Sequence, residues 1–301
     1  MSAPSLSKLV VFGVGLIGGS FALALRQAGA VREVIGIGRD PSNLETARRS
    51  GIADRTYSSQ DKWQRELADA DLVLAAVPVG QMRGVFAQIA PHLGAHSVIT
   101  DAGSTKQDVI AAARATLGSA FARYVPAHPI AGTEHSGAAA AFDTLFEGRS
   151  VLLTPVTETA AQAIALVEAC WVACGARVAR LDAARHDQLF AAVSHLPHAL
   201  AFGLVGALAG RPDRDEYFRH AASGFRDFTR LASSHPEMWR DIFVANRTAL
   251  RAELVAYGAE LERIGRLLDQ DDGGAALAAY LAAARDARVA WLRAHAGDDA
   301  V

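Results

Sequence analysis

The sequence predicts a doubly wound parallel α/β domain followed by an all-α domain. Three observations carry that reading. Short apolar runs alternate with amphipathic helical segments through the first 180 residues. A glycine-rich turn joins the first apolar run to the first helix. After Asp182 the strand signals stop.

Residues 9–12, 34–37, 72–77, 98–100, 123–127 and 150–153 are short, mostly apolar runs that read as parallel strands buried on both faces. Helical patterns at 17–28, 42–49, 79–90 and 106–117 fall between most of them. A further helix, 160–174, leads through Gly175 to a strand at 177–181, expected to close the sheet on one edge. Residues 182–208 form one helix, apolar almost all round and interrupted by Pro197. Such a helix is normally buried, which puts it at the centre of a helical domain and points to a subunit interface. After a turn at 210–213, helical patterns resume at 214–231, 236–268 and 274–295. The expected domains are therefore 1–180, binding a dinucleotide, and 181–301, helical.

Composition excludes several classes. The chain has 301 residues, 51% hydrophobic and 21% charged, enough for two domains with sizeable cores. Lys+Arg 30 against Asp+Glu 32 leaves no basic excess for binding nucleic acid. The N-terminus lacks the layout of a signal peptide. Charges and turn residues are expected to break every apolar stretch before it reaches the length of a membrane span. The two cysteines, Cys170 and Cys174, cannot make a disulfide framework and read as small buried apolar residues. A reduced, cytoplasmic protein is expected.

The turn after the first strand is G-x-G-x-x-G, with Gly13, Gly15 and Gly18. In a Rossmann-type domain the first glycine allows the tight turn, the second lets backbone approach a pyrophosphate, and the third lets helix and strand pack closely. Leu16 and Ile17 open the helix, whose amides and partial positive charge suit phosphates. The second strand ends at Gly38, where an NAD-binding carboxylate would stand, and Arg39 comes next. A guanidinium there can pair with a 2′-phosphate and stack on adenine, or is simply a solvated surface arginine. Asp40 precedes Pro41 and a helix, the layout of an N-cap, so its carboxylate is expected to be occupied. Ser42 is a candidate phosphate contact. NADP is the expected cofactor, with NAD as the alternative.

Polar residues also stand where the fold does not ask for them. Residues 100–106 (TDAGSTK) lie at a strand end, where such sheets bind ligands; Ser104 reads equally as a helix cap or a site residue. Residues 127–135 (AHPIAGTEH) end another strand. His128 there suits removal of a hydroxyl proton as hydride leaves, or is a hydrogen-bonded loop histidine. In the apolar helix His186, Phe190, Ser194 and His198 are spaced by four and share a face, as a cleft wall or as helix-to-helix hydrogen bonds. Arg226 and Arg230 share another face, either clamping a carboxylate or forming interhelical ion pairs. His195 and His198 lack the companions of a zinc site, and no metal is expected. The only lysines are Lys8, Lys62 and Lys106, so the helical domain offers no lysine acid or base and histidine is left as proton acceptor.

Taken together, residues 13–20, 101–106, 128–137, 147–155, 186–187, 194–199 and 223–240 resemble the prephenate/arogenate (cyclohexadienyl) dehydrogenases of tyrosine biosynthesis, over nearly the whole chain. That resemblance implies oxidative decarboxylation of a cyclohexadienyl acid: hydride leaves C4 for the nicotinamide and the ring carboxylate departs as CO2. It implies that His128 accepts the C4 hydroxyl proton and that Ser104 orients that histidine, the hydroxyl and the nicotinamide. Arg230 resembles the arginine that binds substrate carboxylate. Glu134, His186, Ser194 and His198 match positions lining the substrate pocket, and Trp239 a nearby pocket or interface position. The helical domain is expected to form a homodimer. Gly38 followed by Arg39 resembles the NADP-using branch. No room is left after the helical domain for a regulatory domain, so tyrosine inhibition, where present, is expected at the active site. The competing readings are another two-domain hydroxyacid or imine dehydrogenase, and a non-catalytic dinucleotide-binding regulator.

Overall fold

The computed structural model describes residues 4–133 and 135–295. Its first part alternates β1 (Leu6–Phe12), α1 (Leu16–Gln27), β2 (Val31–Gly38), α2 (Pro41–Arg49), β3 (Arg55–Ser58), β4 (Leu72–Ala75), α3 (Met82–Ile89), β5 (Val98–Asp101), α4 (Gln107–Thr116) and β6 (Tyr124–Val125). The six strands are parallel in the order β3-β2-β1-β4-β5-β6. The order reverses between β1 and β4, and the crevice at the carboxyl ends of those two strands is where doubly wound sheets bind ligands.

Burial on both faces explains why these strands read as unbroken apolar runs. In β1, Leu9 and Val11 pack in the core that includes Phe21 and Leu25 of α1, while Val10 and Phe12 join Met82 and Phe86 of α3. Each such side chain contributes roughly 1.5–3 kcal/mol by leaving water. β3, sequence RTYS, is only partly buried at the sheet edge and carries no apolar run, so it escapes pattern reading.

Three sequence expectations need correction. The run 123–127 is two strands, because Pro126 has no N–H to continue a ladder. β6 stays in the main sheet, whereas β7 (Ala127–Pro129) turns away and pairs antiparallel with β8 (Ser150–Leu153). β8 pairs in parallel with β9 (Arg177–Arg180), and α5 (Ala161–Ala173) connects them. Residues 150–153 and 177–181 therefore build a separate three-stranded sheet instead of extending the first.

The apolar helix is α6 (Ala183–Phe190), a π turn at Ala191–His195, and α7 (Leu196–Ala209). Pro197 opens α7, and the wider turn just before it accommodates the missing N–H. By length and composition the stretch Ala183–Ala209 is able to cross a bilayer, contrary to the expectation that charges would break it sooner. Its charged residues cluster in the first turns, which leaves the rest apolar. In α7 only Ala201 is fully buried; Gly203, Leu204, Gly206 and Ala207 are exposed and the other residues are half-buried. The same compact unit, which ends at Arg247, holds α8 (Arg214–His220), α9 (Ser223–Thr229) and α10 (Pro236–Ala245). Asn246 leaves helical geometry and divides the predicted 236–268 helix. A second unit from Thr248 onward is built from α11 (Arg247–Leu268) and α12 (Ala275–Ala294), with Arg263 lying 5.0 Å over the Tyr280 ring.

Candidate active site

At the β1–β4 crevice the three glycines have separable reasons. Gly13 has φ +92°, and a Cβ there would lie 2.3 Å from the Ala76 carbonyl oxygen. A Cβ on Gly18 would lie 2.2 Å from the Gly13 oxygen and 2.8 Å from Val11 Cγ1. The protein itself excludes side chains at both positions. A Cβ on Gly15 meets only the Gly137 nitrogen, at 4.0 Å, so this position borders open space. No side chain caps α1 and its first turn has no acid, so the amides of Leu16, Ile17 and Gly18 are left for a ligand. An uncapped helix start beside a bare glycine fits a dinucleotide pyrophosphate.

At the end of β2, Asp40 caps α2 as its sequence context predicts. Its carboxylate accepts from Ser42 N at 3.0 Å and the Ser42 hydroxyl at 3.1 Å. The Ser42 hydroxyl is thereby committed to Asp40. Arg39 is exposed and forms no ion pair among the described residues. Gly38 packs so closely that a Cβ would lie 3.1 Å from Leu44 Cδ2.

His128, on β7, is 9% exposed. Its Nδ1 lies 2.8 Å from Nε2 of His186, whose Nδ1 lies 2.9 Å from Asp187 Oδ1. Phe190 packs against both rings, with centroid distances of 4.8 Å to His128 and 4.5 Å to His186. Burial, with His186 and Lys106 nearby, pushes the His128 pKa well below the ordinary histidine value of 6.5, so the ring is a neutral base. His186 is fully buried with both ring nitrogens engaged by protein, leaving it no polar atom for a substrate.

Two features of this centre are absent from the sequence reading. Lys106 is wholly buried and pairs with both oxygens of the equally buried Asp101; its ammonium also donates to the Ala127 carbonyl at 2.6 Å. Tyr124 donates to Asp101 at 2.9 Å. This ion pair ties β5 to the residue before His128. Secondly, Asp187 accepts from the amides of Lys106 and Gln107 at 2.8 and 2.9 Å, so α6 supplies the cap of α4. Ser104 is not that cap; it is half-buried in the β5–α4 loop and its hydroxyl makes no hydrogen bond among the described residues. The available signal was a Lys five residues after an Asp at an apolar strand end, where each buried charge requires a partner.

The π turn breaks the four-residue stripe. It rotates the rest of the helix by roughly 100°, one residue's worth. His198 stacks on Trp239 with centroids 3.5 Å apart, and its Nδ1 donates to the Ser194 carbonyl at 2.9 Å. Ser194 is half-buried beside it. Burial, together with the charge of nearby Arg230, lowers the His198 pKa. Arg230 is exposed on the turn after α9 and lines an open hollow of about 520 Å³ with Phe225, Arg226 and Asp227. Phe190, against His128, and His198, beside Arg230, are eight residues apart, about 12 Å along the helix. Glu134 lies outside the described residues.

A dinucleotide cradle on a doubly wound sheet, with a buried neutral histidine at a strand end, defines an NAD(P)-dependent oxidoreductase. Two family models match this chain: "Prephenate dehydrogenase, nucleotide-binding domain" over residues 21–180 and "Prephenate dehydrogenase, dimerization domain" over residues 182–283. A cyclohexadienyl dehydrogenase of Zymomonas mobilis is 36% identical over 88% of this chain and 89% of its own length. The prephenate dehydrogenase of Bacillus subtilis is 34% identical over 88% of this chain and 71% of its own. Among solved structures, prephenate dehydrogenase from Aquifex aeolicus in complex with hydroxyphenyl propionate and NAD+ superposes with TM-score 0.89 at 34% identity, covering 96% of this chain and 99% of the other. Synechocystis arogenate dehydrogenase superposes at 0.75 with 29% identity, over 93% and 99%. The chain belongs to the prephenate dehydrogenase family. The nucleotide-binding match begins at residue 21, after the glycines, so the cradle geometry is a separate line of support.

Proposed function

We propose that this enzyme oxidatively decarboxylates prephenate, arogenate or both, giving 4-hydroxyphenylpyruvate or tyrosine, with NADP preferred over NAD. The observation that carries the reading is the family match over residues 21–180 and 182–283 combined with a buried, neutral His128 on the short strand β7. Bound nicotinamide would accept the hydride from C4.

The chain's own residues supply the rest. Gly13, Gly15, Leu16, Ile17 and Gly18 hold the pyrophosphate, and Arg39 pairs with the 2′-phosphate of NADP, whereas Ser42, with both donors taken by Asp40, does not contact it. That preference is supported by the lack of a carboxylate at Gly38 and by the engagement of Asp40 as a helix cap. His128 takes the proton from the C4 hydroxyl as the hydride departs, so no oxocarbonium accumulates. Ser104 contacts the same hydroxyl from the β5–α4 loop. Arg230 binds a substrate carboxylate, with His198 and Ser194 lining that end of the pocket. Loss of the ring carboxylate as CO2 makes the ring aromatic and drives the step forward.

The helical part, 181–301, pairs two copies of the chain into a homodimer. Exposed apolar side chains on it support this: Val193, Leu204, Val244, Val255 and Leu268. The test of the function is absorbance of reduced nicotinamide with prephenate and with arogenate, each with NAD and with NADP. Turnover is expected, fastest with NADP; no turnover in all four mixtures rejects the reading.

A further inference from the structure

We propose that Asp187, acting through His186, is the positioning residue that decides which ring nitrogen of His128 is the base, holding a proton on Nδ1 and leaving Nε2 to take the substrate proton. This inference rests on the function proposed above.

Donors and acceptors fix the tautomers. A carboxylate only accepts, so the His186 nitrogen 2.9 Å from Asp187 Oδ1 carries the hydrogen, and that nitrogen is Nδ1. A neutral imidazole has one N–H, so His186 Nε2 presents a lone pair. That lone pair faces His128 Nδ1 at 2.8 Å. Two lone pairs do not approach to that distance, so His128 Nδ1 carries its hydrogen as well. The remaining nitrogen, Nε2, is then the basic one. Both rings are buried, and that burial holds both in the neutral form on which this chain of hydrogen bonds depends.

Asp187 is itself pinned. Its oxygens accept from the Lys106 amide at 2.8 Å, the Gln107 amide at 2.9 Å and the Gln107 side chain at 3.3 Å. The start of α4 therefore fixes the carboxylate, and its partial positive charge keeps it ionised. Asn246 donates to the Asp187 carbonyl at 2.7 Å and holds the same turn of α6 from α10. The other charged or titratable groups facing the two rings are Lys106 and His195 toward His128, and Lys106 and Asp101 toward His186. The arrangement reproduces the logic of an orienting carboxylate behind a histidine base, with a second histidine interposed. In the reaction the substrate O–H bond breaks and an Nε2–H bond forms, while the hydride leaves for the nicotinamide. The positive charge gained by His128 is then shared along its hydrogen bonds toward Asp187.

The test is a long-range 1H–15N correlation of the histidine rings in the uniformly 15N-labelled full chain near neutral pH, with the His128 signals assigned by their loss in His128→Asn. The expected result is the Nδ1–H tautomer at His128. In His186→Phe, which keeps a ring in the space and leaves Asp187 in place, that tautomer is lost. There kcat falls by roughly 100-fold while KM stays within about threefold. Asp187→Asn should behave alike, but it also removes the α4 cap, so His186→Phe is the deciding variant. An Nε2–H tautomer at wild-type His128, or unchanged kcat in His186→Phe, overturns the proposal. Lack of turnover by the wild-type enzyme rejects instead the functional reading and leaves the tautomer result standing.

Discussion

At the His128 end of the proposed site, imidazole, carboxylate and ammonium groups are buried and held by hydrogen bonds; at the proposed Arg230 end the guanidinium stands on a short turn beside an open hollow. The first end is assembled from β5, β7, α4 and α6, elements far apart in sequence whose polar groups satisfy each other. The second comes from α9 and the turn after it, neither of which contains a buried residue. The contrast teaches where precision is needed. Proton removal requires a base already aimed and already neutral, whereas binding a carboxylate tolerates a side chain that adjusts on contact.

Breaking the buried end should have the largest effects. His128→Asn is expected to lower kcat by about 10³-fold, within the range for a lost general base, while cofactor binding persists. An unaffected rate would remove His128 from the mechanism. Lys106→Met leaves Asp101 as an unpaired buried charge and frees the Ala127 carbonyl; a loss of roughly 3–5 kcal/mol is expected. Urea unfolding measures it, and a midpoint equal to wild type would show that the pair is not needed. At the open end, Arg230→Ala should raise KM for the substrate by roughly 10- to 100-fold, the value of a charge-assisted hydrogen bond, with little change in kcat. An unchanged KM would leave Arg230 structural.

Per residue, the smallest effect is on pH dependence. His128 and His186 have pKa values lowered from 6.5 by burial, and His195 is lowered to about 4. Below pH 6.5 the unfolded chain takes up protons that the folded chain refuses, so stability falls as pH drops. Each of these buried rings contributes about 1 kcal/mol per pH unit until its folded value is reached. Urea midpoints at pH 7.5, 6.5 and 5.5 should decline in that order, and equal midpoints would contradict the buried neutral cluster.

Features set by local residues were legible in the sequence. The main-sheet strands other than β3, the glycine cradle and the Asp40 cap depend on residues within one strand–turn–helix unit, and pattern reading finds them. His128 was legible because a histidine at a strand end is locally odd. The second sheet was not, because β7 separates from β6 at Pro126 and pairs with strands beyond it, a choice made by tertiary packing. Asp187 was hidden for the same reason: its partners, the amides of Lys106 and Gln107, lie about eighty residues away in sequence. His186 was read as lining the pocket because helical spacing reveals a shared face but not the groups packed against it. The π turn at Ala191–His195 then moved His198 off that face.

The separation of chemistry from recognition is tested most directly by combining the two changes. In the double variant carrying His128→Asn and Arg230→Ala, substrate affinity should match that of Arg230→Ala alone, and kcat should match that of His128→Asn alone. If Arg230→Ala by itself lowers kcat as far as His128→Asn does, the two ends act as one catalytic unit and the separation fails.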